Sequence, residues 1–242
     1  FIPRLRESAV VMRRVVVTGM GVVSSLGVGL QKNWDDLLAG RSGITAINNF
    51  DVSDLPAKIA GQVPNGNTDD SLFNADDWVP TKDQRRMDDF IIYGLCAAQQ
   101  AIEDSGWKID SEEDAWRTGV LIGSGIGGLP EIADGSVKVH EGRARRLSPF
   151  FIPASLINLI SGHVSIRYGL KGPNHAVVTA CSTGAHAIGD AARIIMWEDA
   201  DVMVAGGAEA AICPIGVAGF CSARALSTGY NDRPTEASRP WD

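Results

Sequence analysis

Four short apolar runs lie at residues 14–18, 119–122, 176–179 and 201–205, and helical patterns lie between them. Three of the runs lead directly into glycine, and the run at 176–179 reaches Gly184 five residues on. Uninterrupted Val/Ile character suits strands covered on both faces, and alternation with helices predicts an α/β fold with a mainly parallel sheet. Taken in order, residues 14–18 form the first strand, ending at Gly19. Residues 48–79 are rich in Asn, Asp, Gly and Pro and predict loop with little regular structure. Ile91, Leu95, Ala98 and Ile102 then recur at helical spacing, with Gly106 as the C-terminal stop. After the strand at 119–122, residues 135–153 read as irregular, with Arg143, Arg145, Arg146 and two prolines. The strand at 176–179 is followed by Ala185, Ile188, Ala192 and Ile195, again at helical spacing, and the strand at 201–205 completes the set.

A chain of 242 residues fits one large domain or two small ones and is long enough for a substantial core. Its net charge of −7 argues against general nucleic-acid binding. No apolar run approaches the ~20 residues of a membrane span. Residues 1–14 carry four arginines around a short apolar stretch, which does not suit a secretory signal. Residues 1–11 are therefore expected to be a leader, as a transit-peptide remnant or an extended start ahead of Met12, with the domain proper spanning 12–242. The sequence stops after Ser238-Arg239-Pro240-Trp241-Asp242 without a terminal helical pattern and reads as cut before a further half.

The chemistry concentrates at Cys181, where an apolar run gives way to a helical pattern through Thr179-Ala180-Cys181-Ser182-Thr183-Gly184. A helix start offers unpaired N–H groups and the positive end of the helix dipole, which favour a thiolate over a thiol titrating near ~8.5. The small residues after the cysteine leave room for a substrate, and the same N–H groups are suited to an oxyanion. Cys96 lies within a helical pattern, and Cys213 and Cys221 lie in a Gly/Pro-containing stretch, so all three read as structural. There is no C-x-x-C pair, and neither a metal nor a redox motif is expected. Reduced thiols in a cytoplasmic setting are the default. Two glycine clusters, Gly19-Met20-Gly21 and Gly123-Ser124-Gly125-Ile126-Gly127-Gly128, mimic dinucleotide fingerprints. The first has Ser24 at the third-glycine position, and neither is followed by a second strand ending in an acidic residue. Close backbone packing, or approach of the backbone to a ligand, is the better reading of both.

These motifs together resemble the β-ketoacyl-acyl-carrier-protein synthases of the elongating type, closest to synthase II. Besides the cysteine motif, the resemblance covers Arg14-Val15-Val16-Val17-Thr18-Gly19-Met20-Gly21, the second glycine cluster and Ser148-Pro149-Phe150-Phe151-Ile152-Pro153. It continues through Asp201-Val202-Met203-Val204-Ala205-Gly206-Gly207-Ala208-Glu209 to the final five residues. It implies the N-terminal half of a thiolase-like fold layered α-β-α-β-α. It also implies a decarboxylating condensation in which Cys181 takes an acyl group from an acyl carrier protein. Malonyl carrier protein then loses CO2 and attacks that thioester, giving a 3-oxoacyl product. No cofactor is implied.

By position, the resemblance places Ile126, Ala180, Gly216 and Phe220 on the acyl pocket, with Phe151 and Ile152 reaching a partner's pocket in a homodimer. Lys82, Arg85 and Arg86, clustered at a helix start, and Arg224 match positions that dock the acidic carrier protein. The family's two catalytic histidines and its lysine belong to the second half, and His140, His163, His175 and His186 are not expected to replace them. The location implied is cytoplasmic, or organellar if residues 1–14 hold a transit remnant. The competing readings are a non-catalytic dimerising or chain-length-factor-like subunit and the ketosynthase portion of a polyketide synthase.

Overall fold

The structure, a computed structural model, describes residues 13–241. The expected leader at 1–11 lies outside them. A small antiparallel pair, β1 (Val23–Ser24) and β2 (Gly27–Val28), precedes helix α1 (Leu30–Leu38). A second pair, β3 (Thr45–Ala46) and β4 (Ile59–Ala60), brackets the first part of the polar region. The short helices α2 (Ala75–Trp78) and α3 (Thr81–Gln84) lead to the long α4 (Asp89–Ser105) and then α5 (Glu112–Arg117). Strand β5 (Thr118–Gly123) enters the core and is followed by α6 (Leu129–His140), α7 (Phe151–Ser155) and α8 (Leu159–Tyr168). β6 (Asn174–His175), α9 (Thr183–Met196), β7 (Val202–Gly207) and α10 (Pro214–Ser222) complete the described chain.

The site-bearing sheet is parallel, in the order β6-β5-β7. β5 and β7 pair over their whole length, from Thr118 opposite Val202 to Gly123 opposite Gly207. Every residue of β5 is buried, as a strand covered on both faces requires. Val120 and Ile122 join Phe90, Ile91, Leu95, Ile160 and Val164 in the main core, so this face of β5 packs against α4 and α8. Gly123 stands against Thr183 of α9. Fully burying such a Phe, Leu or Ile side chain is worth about 1.5–3 kcal/mol. Ile91, Leu95 and Ala98 of the expected α4 stripe are buried, Ile102 is half-buried against the same core, and Gly106 caps the helix at φ 65°.

Residues 14–18 do not form a strand. Among the described residues they make no ladder bonds, and Val16 and Val17 remain 65% and 73% exposed. The segment beyond them is held on α4 by side chains instead: Met20 N–H donates to Asp104 (2.9 Å) and Val22 N–H to Gln100 (3.3 Å). Gly19 and Gly21 sit so close to the α4 backbone that a Cβ on either would collide with it. That is the close packing expected of this cluster.

The strand expected at 176–179 is instead the shorter β6, immediately upstream. Ser161 of α8 supplies the physical reason. Its buried hydroxyl accepts from Ile122 N–H (2.9 Å) and donates to the His175 carbonyl (2.7 Å), occupying groups that a longer ladder would use.

Residues 135–140 and 151–153 are helical, not irregular: α6 begins at Leu129 with Pro130 in its first turn, a favourable position for proline, and α7 begins at Phe151. Gly135 is tolerated mid-helix because the Phe151 ring fills the space where a Cβ would stand, 2.6 Å from Cε2. In α9 the buried face is Thr183, Ala187 and Ala191, whereas Ile188 of the expected stripe is 53% exposed. Small residues win that face because α9 lies close on β7: a Cβ on Gly184 would stand 3.4 Å from Gly207 N.

Candidate active site

Cys181 occupies a single 3-10 turn, Ala180–Ser182, that runs directly into α9. Ala180 adopts φ 52°, a left-handed conformation that costs a non-glycine residue about 1–3 kcal/mol. Thr183 holds the turn. Its buried hydroxyl accepts from Thr179 N–H (2.9 Å) and donates to the Ala180 carbonyl (2.7 Å). Ser182 Oγ donates to the Thr179 carbonyl (2.7 Å) from the other side. Bending the chain this way leaves the Cys181 side chain exposed, and α9 has no side-chain cap, so its first N–H groups are not taken up by one.

The other cysteines differ. Cys96 is buried in α4, and burial pushes its thiol up to about 12 despite a hydrogen bond from Gln100. Cys213 is buried and Cys221 half-buried.

A cavity of about 560 Å3 opens over the turn, lined by Cys181, Ala180, Ile126, Phe220 and Glu209 among others. Of the six pocket positions taken from the sequence, Ile126, Ala180 and Phe220 meet Cys181 here. Gly216 is buried within α10, where a Cβ would collide with the Ala211 carbonyl, and does not line the cavity. Phe151 lines a separate apolar cavity of about 360 Å3 with Leu147 and His140, and Ile152 is 61% exposed.

None of the four histidines lines the Cys181 cavity. His186 turns back along α9, with Nδ1 3.2 Å from Thr179 Oγ1 and Nε2 3.1 Å from Asp190. His163 is half-buried in α8, and burial, then Arg167, lowers its pKa. His175 lies exposed in β6.

Lys82, Arg85 and Arg86 lie together on α3 and the turn after it, all exposed. Arg86 pairs with Asp83 at 3.7 Å and lies 4.9 Å from the centre of the Phe150 ring. Arg224 is on another element, exposed just past α10, with φ 55°.

The residues that the sequence left without a role are Glu209 and Ser124. Glu209, just past β7, accepts from Ser124 Oγ (2.9 Å), Ile126 N–H (2.8 Å) and Gly127 N–H (3.2 Å). The signal was present as a lone acid within Gly206-Gly207-Ala208-Glu209-Ala210-Ala211, a stretch otherwise of glycine and alanine.

Residues 12–242 match the family described as beta-ketoacyl synthase, N-terminal domain, and the chain belongs to that family. It is 58% identical over 231 residues to 3-oxoacyl-[acyl-carrier-protein] synthase 2 of Rhizobium meliloti (strain 1021), covering 96% of this chain and 55% of that protein. Its fold matches the crystal structure of a beta-ketoacyl synthase from Burkholderia phymatum STM815 with TM-score 0.80 and 30% identity, over 96% of this chain and 55% of that one. A second match, with TM-score 0.72 and 25% identity over 90% of this chain and 50% of the other, is a ketosynthase of a type II polyketide system, described in complex with its acyl-carrier protein and bound to the hexaketide. The chain spans about half the length of these relatives. The fold is the thiolase-like α/β arrangement expected from the sequence.

Proposed function

We propose that the full-length protein is a 3-oxoacyl-[acyl-carrier-protein] synthase of fatty-acid elongation and that Cys181 is its acylated nucleophile. One observation carries the reading: the exposed thiol stands at the start of α9, on a left-handed turn, beside a cavity of about 560 Å3. The Cys181 thiolate attacks the acyl thioester carbonyl, and the carrier thiol leaves with a proton. N–H groups at the start of α9 are proposed to hold the oxyanion as it forms. Malonyl carrier protein then loses CO2, its carbanion attacks the Cys181 thioester, and the sulfur departs as thiolate. Thiolate is both a good nucleophile and a good leaving group at neutral pH, so one residue serves both steps. The histidines and lysine that assist decarboxylation are proposed to come from the second half of a full-length synthase.

Ile126, Ala180 and Phe220 are assigned to the acyl pocket. Gly216 supports its wall from within α10, and Phe151 and Ile152 are assigned to a homodimer contact. Lys82, Arg85, Arg86 and Arg224 are assigned to docking the acidic carrier protein in a cytoplasmic setting. Identity of 58% to a synthase 2 against 25% to the polyketide ketosynthase favours fatty-acid elongation. The test is product analysis: full-length protein with acyl and malonyl carrier proteins yields a 3-oxoacyl carrier protein two carbons longer. Release of CO2 without chain extension would refute the condensation.

A further inference from the structure

Glu209 ties together two segments more than eighty positions apart in the chain. Its carboxylate gathers three donors from residues 124–127, and bonds to an ionised acceptor are roughly twice as strong as neutral ones. The buried Ser124 hydroxyl also accepts from Gly127 N–H at 3.1 Å, so the loop is cross-braced. Gly125 lies between this carboxylate and the nucleophile turn. A Cβ there would stand 3.0 Å from Glu209 Oε2 and 3.1 Å from the Ala180 carbonyl oxygen. The loop is thus gripped on one side by Glu209 and pressed on the other against the residue preceding Cys181. Ile126, whose own N–H is one of the gripped donors, presents its side chain at the same cavity, 39% exposed.

We infer that Glu209 is a positioning residue for acyl-chain selection: it locks the 124–127 loop against the Ala180–Cys181 turn and so fixes where Ile126 stands over the acyl chain. The inference rests on the condensing-enzyme reading of Cys181. Glu209 touches no reacting atom in this account. Its removal lets Ile126 move, which alters which chains fit more than it alters the sulfur. Glutamine at this position keeps the shape but offers one carbonyl acceptor and turns an NH2 donor towards donors, so one loop amide loses its partner.

The experiment compares full-length wild type with Glu209→Gln and Ser124→Ala. It measures Cys181 acylation by one short-chain and one long-chain acyl carrier protein, alkylation by iodoacetamide, and hydrogen exchange at the Ile126 and Gly127 amides. Glu209→Gln shifts the long-to-short acylation ratio about tenfold, the scale on which small misplacements act, while alkylation stays within about twofold. Its loop amides exchange about tenfold faster, the loss expected of a charge-assisted bond. Ser124→Ala shifts both readouts in the same direction by less, and decides the question if the glutamine variant fails to fold. An unchanged ratio in a folded variant overturns the selection role, and unchanged amide exchange overturns the lock. A wild type that never becomes acylated refutes the condensing reading and the selection role with it, while the amide exchange still reports separately whether Glu209 holds the loop.

Discussion

Thr183 does two jobs with one side chain. Its hydroxyl satisfies the Thr179 N–H and the Ala180 carbonyl, and its methyl group packs against Gly123 of β5. The turn that exposes Cys181 therefore depends on a buried hydroxyl that offsets the left-handed strain at Ala180. Thr183→Val keeps the volume, leaves the Ala180 carbonyl only the Thr183 backbone N–H, and leaves the Thr179 N–H without its partner, at a cost of about 1–3 kcal/mol. The expected outcome is a lower thermal midpoint and slower Cys181 acylation, with Thr183→Ser close to wild type in both. Equal behaviour of Val and Ser would show that the hydroxyl bonds do not hold the turn. The sequence displays the cysteine and its small neighbours openly. It does not display Thr183 as the clamp, because that role requires the residue to fold back over the turn it follows.

Elements add electrostatics that no single residue shows. Asp88 caps α4 by accepting from Phe90 N–H (3.3 Å) and reaches Glu131 N–H in the first turn of α6 (3.4 Å). Burial, with Asp89 and Glu131 nearby, pushes its carboxyl up to about 6, whereas an unfolded chain titrates it near 3.8. The folded state therefore holds this proton more tightly, and the group's contribution falls as pH rises from about 4 to about 6. Asp88→Asn keeps a capping oxygen and removes the buried charge. Its thermal midpoint is expected to exceed wild type at about pH 8 and to match it at about pH 4. A gap that does not change with pH would contradict this.

At α3, Arg85→Glu with Arg86→Glu is expected to slow carrier-dependent acylation, by an amount that shrinks with added salt, while reaction with a small thiol reagent is spared. Equal loss in both reactions would remove the docking assignment. Element identity was legible where one face is strongly apolar, as in α4, and where glycine stops a helix, as at Gly106. It was less legible where a distant side chain decides. Ser161 ends β6 from α8, Phe151 makes Gly135 tolerable in α6, and β7 selects the small-residue face of α9 over the isoleucine one.

At the scale of the molecule, the described chain keeps Val16, Val17, Val178, Ile188 and Trp197 more than half exposed. Exposed apolar side chains fit a surface that another body covers, and the proposed full-length assembly would supply two such bodies, a second half and a homodimer partner. The 242-residue chain alone is accordingly expected to bind a hydrophobic dye strongly and to form no 3-oxo product, whereas the full-length protein binds little dye and condenses. Weak dye binding by both would contradict the covered-face account. The parallel sheet and the exposed cysteine were readable from local pattern. The Glu209 brace was not, because it joins residues that only the pairing of β5 with β7 brings together.

The most direct measurement is the intact mass of full-length protein after incubation with an acyl carrier protein bearing a defined acyl group. The account predicts a single acyl adduct that maps to Cys181 and is absent from Cys181→Ala. An adduct of equal yield on the alanine variant, or none on the wild type, would contradict it.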